Sequence, residues 1–311
     1  MSRKNALWKV VLILMPWTSL VVPASAQHFE QVTVKGGGTL AHVAAGRNEV
    51  FGLESSGAIW RYNSSTTSFD RIKGSLQQIA VGGGTRWQLD QIWGITRGEV
   101  YQFNYTTKVF DHISAPAISQ IAVGEGVEDS CHPYEVWGVV AGSSINRYNY
   151  CSNSFEVIDT GAWTQVGTGG GTVWATEIQG TGGPAAPLIY DVALGGFLDV
   201  GEGVGNSLKQ FAVGVNDMWA INSSNQIVQW DWNTSNGFVA NVEIQGTLAQ
   251  IAAGGDGVWG VAANSNEIFR LDESSDTFVQ VPGALTSIAV GSGAGVWGVD
   301  SSGDVFTFVR P

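Results

Sequence analysis

Short alternating runs of apolar and polar residues recur along this chain at nearly constant spacing. Ile59-Trp60-Arg61-Tyr62, Val100-Tyr101-Gln102-Phe103 and Ile268-Phe269-Arg270-Leu271 share one alternating character. Period-two patterning of this kind predicts strands packed on both faces. Each such run is preceded by two others. The first is an apolar–Ala–Val–Gly phrase, beginning at His42, Gln78, Gln120, Gln165 (degenerate), Gln210, Gln250 and Ser287. The second is an apolar–aromatic–Gly or –Ala phrase carrying Phe51, Trp93, Trp137, Trp174, Trp219, Trp259 and Trp297. Polar turns such as Glu54-Ser55-Ser56-Gly57 and Asp300-Ser301-Ser302-Gly303 separate the aromatic phrase from the alternating run, as hairpins require.

A second turn follows. Asn63, Asn104, Asn149, Asp191 and Asp272 each stand six residues before a Phe (Phe69, Phe110, Phe155, Phe197, Phe278); from Asp231 to Phe238 the gap is one longer. An Asx side chain fixes such a turn by accepting backbone amides two residues on, and the Phe opens a fourth strand. A four-stranded unit of about 40 residues cannot bury its own faces, so the units must stack as a closed radial array. The fold expected is all-β: a seven-bladed β-propeller of four-stranded antiparallel blades. The small residues of the first strand lie nearest its axis. The last unit stops at Val305–Val309, a third strand, whereas Phe29-Glu30-Gln31-Val32 has the character of a solitary fourth. The mature N-terminal strand is therefore expected to complete the last blade and hide its edge.

Residues 1–26 do not fit the repeat. Arg3, Lys4 and Lys9, an apolar stretch from Val10 to Met15 and Ala24-Ser25-Ala26 before Gln27 form a secretory signal peptide, leaving 27–311 as one domain. The protein is thus expected to be secreted or periplasmic, with no membrane insertion after cleavage. Loss of the leader's three positive charges takes the net charge from −12 to −15. An acidic surface without a basic run argues against nucleic acid as a partner. Cys131 and Cys151, the two cysteines, both fall in turns of the third repeat, and in an exported chain they read as one disulfide pinning two loops of one blade. Those turns emerge on the same face of an up-and-down blade.

The run Val281-Pro282-Gly283-Ala284-Leu285-Thr286-Ser287-Ile288-Ala289-Val290-Gly291, followed by Gly295-Val296-Trp297-Gly298-Val299, resembles the tectonin repeat. That repeat occurs in slime-mould and mushroom tectonins, fish-egg lectins and tachylectin-type lectins. The resemblance covers nearly the whole mature chain and is strongest in repeats two, six and seven. Repeat four departs most, with Trp163-Thr164-Gln165-Val166 shifted and an insertion at 180–187. It implies a propeller that binds glycans or cell-surface polysaccharide without catalysis. Known members include six-bladed rings, so the blade number here comes from the repeats.

The aromatic at each second strand is expected to be core between blades, because a residue present at every interface is what packing requires. Less regular loop aromatics are better ligand candidates. Arg86, Trp87, His132 and Tyr134 are placed in loops between strands one and two, and Tyr105, Tyr150 and Trp232 in turns between strands three and four. An aromatic plane beside hydrogen-bonding groups suits a pyranose, whose faces are C–H and whose rim is hydroxyl. Gly36–Thr39, Gly82–Thr85 and Gly169–Thr172 read as turns, since no helix or Lys follows to make a phosphate cradle. His28, His42, His112 and His132 are scattered, and no Gly-x-Ser-x-Gly or His-Glu-x-x-His occurs, so an enzyme, a metal site and a cofactor are not expected. Glu125, Glu128, Asp129 and Asp256 are placed in top-face loops without EF-hand spacing. Two other readings stay open: a protein-binding scaffold, and a polysaccharide-active enzyme with paired carboxylates.

Overall fold

The computed structural model describes residues 27–178, 185–200, 208–215, 217–231 and 239–310. Residues 1–26, Trp232, Phe238 and most of the insertion lie outside them. Strands make up most of the described residues. Antiparallel groups of four follow one another: His42–Ala45, Val50–Leu53, Ala58–Asn63 and Ser68–Ser75; then Gln78–Gly82, Gln91–Thr96, Glu99–Asn104 and Val109–Ile113. Gln120–Asp129 to Ser154–Thr160 and Trp163–Gly169 to Gly196–Asp199 repeat the arrangement. This is the architecture of a β-propeller.

Two junctions depart from separate four-stranded units. Val239–Gly254 is one continuous strand whose first part pairs with Gln226–Asp231 and whose second part pairs with Gly257–Ala262, so its sheet has seven strands. At the N-terminus, His28 to Val32 pair antiparallel with Val309 to Val305, while Thr33 and Val34 pair parallel with Ser68 and Phe69. One segment therefore joins the first and last groups into a mixed eight-stranded sheet.

First strands touch first strands around the axis, and the run closes where His42–Ala45 meets Ser287–Val290. The spacing there leaves no room for side chains: a Cβ on Gly291 would stand 2.2 Å from the Gly46 carbonyl oxygen. The glutamines of the repeated phrase bridge neighbouring first strands. Gln250 donates to the Ile288 carbonyl (3.3 Å) and accepts from its amide (2.9 Å); Gln78 bonds both backbone groups of Ile121 in the same way, and Gln210 those of Ile251. Each such amide satisfies a backbone pair that a sheet edge would leave open.

Farther out, each second-strand aromatic is buried against the next group's outer strands. Trp297, at 4 % exposure, is the most open of the seven. Trp93 meets Tyr148 and Phe155, Trp137 meets Tyr190 and Phe197, Trp259 meets Phe29 and Phe308, and Trp297 meets Tyr62 and Phe69. The Gly after the aromatic gives space to a Leu or Ile entering from the preceding loop: a Cβ on Gly94 would lie 2.3 Å from Leu76.

The Asx turns form as local chemistry dictates. Asn63 accepts the Ser65 amide (3.0 Å), Asn104 that of Thr106 (2.9 Å), Asp191 that of Ala193 (2.8 Å) and Asp272 that of Ser274 (3.0 Å). Four residues after each Asx, the chain turns left-handed at Thr67, Lys108, Asn153, Gly195 and Asp276. Only one of these is glycine, so the turn is held against a local steric cost.

Cys131 and Cys151 form the disulfide, 20 residues apart, between the 1–2 hairpin and the 3–4 turn of the third sheet. Replacing both with Ser should remove about 3 kcal/mol for a loop of this length. Urea unfolding of the oxidised protein and the double variant checks it; a loss below about 1 kcal/mol would mean the loops are held by other contacts.

Candidate functional site

The described candidate ligand residues fall in or beside the 1–2 and 3–4 connections: Tyr134 and Tyr150 pack between the second and third sheets, and Tyr105 between the first and second. Arg86 and Trp87 lie in the loop that follows Gly82, the end of the second sheet's first strand. His132 and Tyr134 do not lie in a loop. They belong to the strand His132–Val140, and Glu125 to Asp129 likewise belong to Gln120–Asp129. This hairpin extends past the others because Glu125 pairs with Tyr134 and Asp129 with His132 around a bulge, with the disulfide at its tip. Asp256 keeps the turn position expected for it.

The tyrosines interlock. Tyr105 donates to the Asp90 carbonyl (2.8 Å), Tyr150 donates to Gln91 Oε1 (3.4 Å), and the Tyr134 and Tyr150 rings lie 5.8 Å apart. Gly83 packs against the Tyr134 ring. Burial holds the Tyr105 and Tyr150 hydroxyls well above the ordinary phenol range, reinforced by Glu49 for Tyr105 and by Tyr148 for Tyr150. Both therefore stay protonated as donors. Trp87 differs: it is 86 % exposed, with the Arg86 guanidinium 5.2 Å from its ring. Leu89, also exposed, stands two residues on. The phenols are thus half-buried and engaged within the protein, whereas the Trp87 indole is open.

Buried charges frame it. Asp90, fully buried, accepts the amides of Arg47 (3.0 Å), Asn48 (2.6 Å), Glu49 (2.8 Å) and Gly84 (3.1 Å), tying the turns of the first two sheets together. Glu135 takes two bonds from Arg147 (2.9 and 2.5 Å) and one from Trp137 Nε1 (2.5 Å). Glu49 and Arg61 repeat that pair at 2.7 and 2.5 Å. None of these residues stood out in the sequence reading, yet a signal was present. The acid lies two residues before the second-strand aromatic, and the Arg two before the Asx.

Around the axis, the ends of the first strands enclose a cavity of about 240 Å³ lined by Gly, Ala and Val with Arg47, Glu125, Thr168 and Ser292. Among the described residues, no group of His, Cys, Asp or Glu is arranged to hold a metal ion. No described helix is long and apolar enough to cross a membrane.

The strand arrangement defines a β-propeller. The sequence matches the Tectonin domain over residues 22–182 and 189–310, and the chain belongs to that family. No curated protein matches it. Among solved structures it is similar to the β-propeller domain of Cps50 (Swd1) from Myceliophteria thermophila, with a TM-score of 0.69 at 9 % identity, covering 92 % of this chain and 100 % of that one. It is also similar to U3-55K (TM-score 0.63, 10 % identity, 91 % and 98 % covered). YCF48, solved bound to the D1 peptide, has a TM-score of 0.63 at 10 % identity, with 91 % and 97 % covered. At such identities the likeness concerns fold alone.

Proposed function

We propose that this protein is a secreted, non-catalytic lectin, a seven-bladed propeller whose N-terminal strand completes the last blade and whose one face presents several weak glycan sites. The observation that carries this reading is Trp87. An indole 86 % exposed beside a guanidinium offers a pyranose a stacking plane and adjacent hydrogen-bond donors. Membership of the Tectonin domain family supports it. His132 lines the same side, and Trp232 is assigned to the equivalent turn of the fifth unit. The pairing of His28–Val34 with both end sheets supports the blade count and the closure. A leader over 1–26 and the disulfide support export, with 27–311 as the mature domain.

Several weak sites on one rigid ring gain by avidity, about 10²–10⁴-fold when they engage together. Dense cell-surface or cell-wall polysaccharide is the ligand class that this geometry suits. Protein binding is the second reading, favoured by the exposed Leu89, Val192, Leu194 and Val215 on turns of the same face.

The test is retention on immobilised polysaccharide with release by free monosaccharide. Trp87→Ala should weaken binding by roughly fivefold per site, about 1 kcal/mol of stacking. Retention that no sugar releases, or an affinity unchanged by loss of Trp87 and of Arg86 together, would contradict this assignment.

A further inference from the structure

One pairing recurs in most of the inter-sheet slots; the fourth unit lacks it, with Ile189 across from Trp174 and Thr172 bonded to the Gly169 carbonyl. The residue directly across from the second-strand aromatic is matched to the residue two positions before that aromatic. Across from Phe51 stands Arg61, bonded to Glu49; across from Trp137 stands Arg147, bonded to Glu135. Across from Trp93 stands Gln102, which donates to Gln91 (2.9 Å), and across from Trp219 stands Gln229, which donates to Asp217 (3.4 Å). Where the earlier residue is Gly295, the residue across from Trp297 is the small Thr307, whose hydroxyl bonds the Val296 carbonyl.

The sixth unit breaks the pairing. Arg270 stands across from Trp259, with its guanidinium 5.8 Å from the ring, but the matching position is Gly257. Among the described residues Arg270 makes no hydrogen bond or ion pair. A Cβ on Gly257 would meet nothing within 4 Å, so the space filled elsewhere by a carboxylate is open. Arg270 also lines a cavity of about 470 Å³ that reaches Gln27 and Gln280. A half-buried guanidinium forfeits hydration and gains most from a planar carboxylate meeting its Nε and Nη2 together, as Glu49 and Glu135 do for their own arginines.

We infer that this slot binds the carboxylate of an acidic sugar, a uronic or sialic acid residue, in the place that Glu49 and Glu135 occupy in their units. The inference rests on the carbohydrate-binding reading and names its ligand class. Other charges about the slot are accounted for. Arg310, just past the last strand, is paired with Asp256 at 2.7 Å. Asp272 is engaged by Ser274 through amide and hydroxyl and is also drawn by the Arg270 charge, and Glu273 stands beside it in the lining. The net charge of the chain opposes long polyanions, so a single acidic residue on an otherwise neutral glycan is the favoured form.

The experiment titrates the whole mature protein with methyl glucuronide and methyl glucoside, by calorimetry and by NMR of the arginine Nε–H signals. The glucuronide should bind at least tenfold more tightly and shift the Arg270 signal. Arg270→Gln, which installs the residue already present at positions 102 and 229, should abolish that preference, so that glucuronide and glucoside bind alike. Arg270→Lys, with charge but no planar pair of donors, should restore only part of it. Equal binding of the two sugars, or a preference that survives Arg270→Gln, overturns the inference and leaves the lectin reading standing. Binding of a glutamate-rich peptide with no response to any sugar overturns both. The wild-type titration decides the matter even if a variant fails to fold.

Discussion

Deleting residues 27–34 should leave a protein that is strongly destabilised and aggregates at concentrations where the intact mature chain stays dispersed. The segment contributes Phe29, which lies against both Trp259 and Phe308, and Val32, buried opposite Val305. Its loss would open the side of Trp259 that is fully covered in the intact chain and bare Val305–Val309 as an edge of unpaired amides and carbonyls. An open apolar edge is a template for pairing with another chain. Phe29→Ala, which keeps the strand but removes the ring, should cost about 2 kcal/mol, less than a fully buried Phe because Phe29 is half-exposed. Urea midpoints and light scattering measure both effects. Unchanged stability on deletion would mean that the first and last sheets are held together by contacts near the axis alone.

The second large effect belongs to Glu135. Glu135→Ala should destabilise the protein by about 3–5 kcal/mol, because it leaves the buried Arg147 guanidinium without its carboxylate. The same substitution orphans Trp137 Nε1. Replacing Glu135 and Arg147 together with methionine should be far milder, since a buried pair contributes little beyond what apolar side chains of similar volume supply. A double-mutant cycle on urea midpoints separates the two. A single substitution as mild as the double would show that Arg147 finds water or another acceptor. The analogous Glu49–Arg61 pair is more open and should cost less.

The row of aromatics, the Asx turns and the disulfide were legible in the sequence because each depends on neighbours within one repeat. An Asx oxygen needs only an amide two residues away, and Cys131 and Cys151 need only the shared face of two turns. What stayed hidden depends on relations between sheets or on small departures from the repeat. Val239–Gly254 runs unbroken because nothing between its two pairings forces a turn, and composition does not announce that. His132 and Tyr134 read as loop residues because the hairpin's extension rests on a bulge and a cross-link, not on apolar alternation. The glutamines that clamp neighbouring first strands were visible as letters, but their role required knowing which strand lies beside which. The Arg270–Gly257 mismatch was likewise present in the letters. It has meaning only once Arg61 and Arg147 are seen holding Glu49 and Glu135. Of the candidate ligand residues, Trp87 lies in the loop expected for it, but its exposure beside Arg86 depends on how that loop stands off the sheet.

The most direct measurement is a glycan microarray probed with the mature, oxidised protein at graded concentration, with free-sugar competition on every responding glycan. Saccharide-specific signals that strengthen with ligand density and fall on competition are the result predicted for several weak sites on one face. Silence across neutral and acidic glycans, from protein shown to be folded, would contradict the lectin assignment.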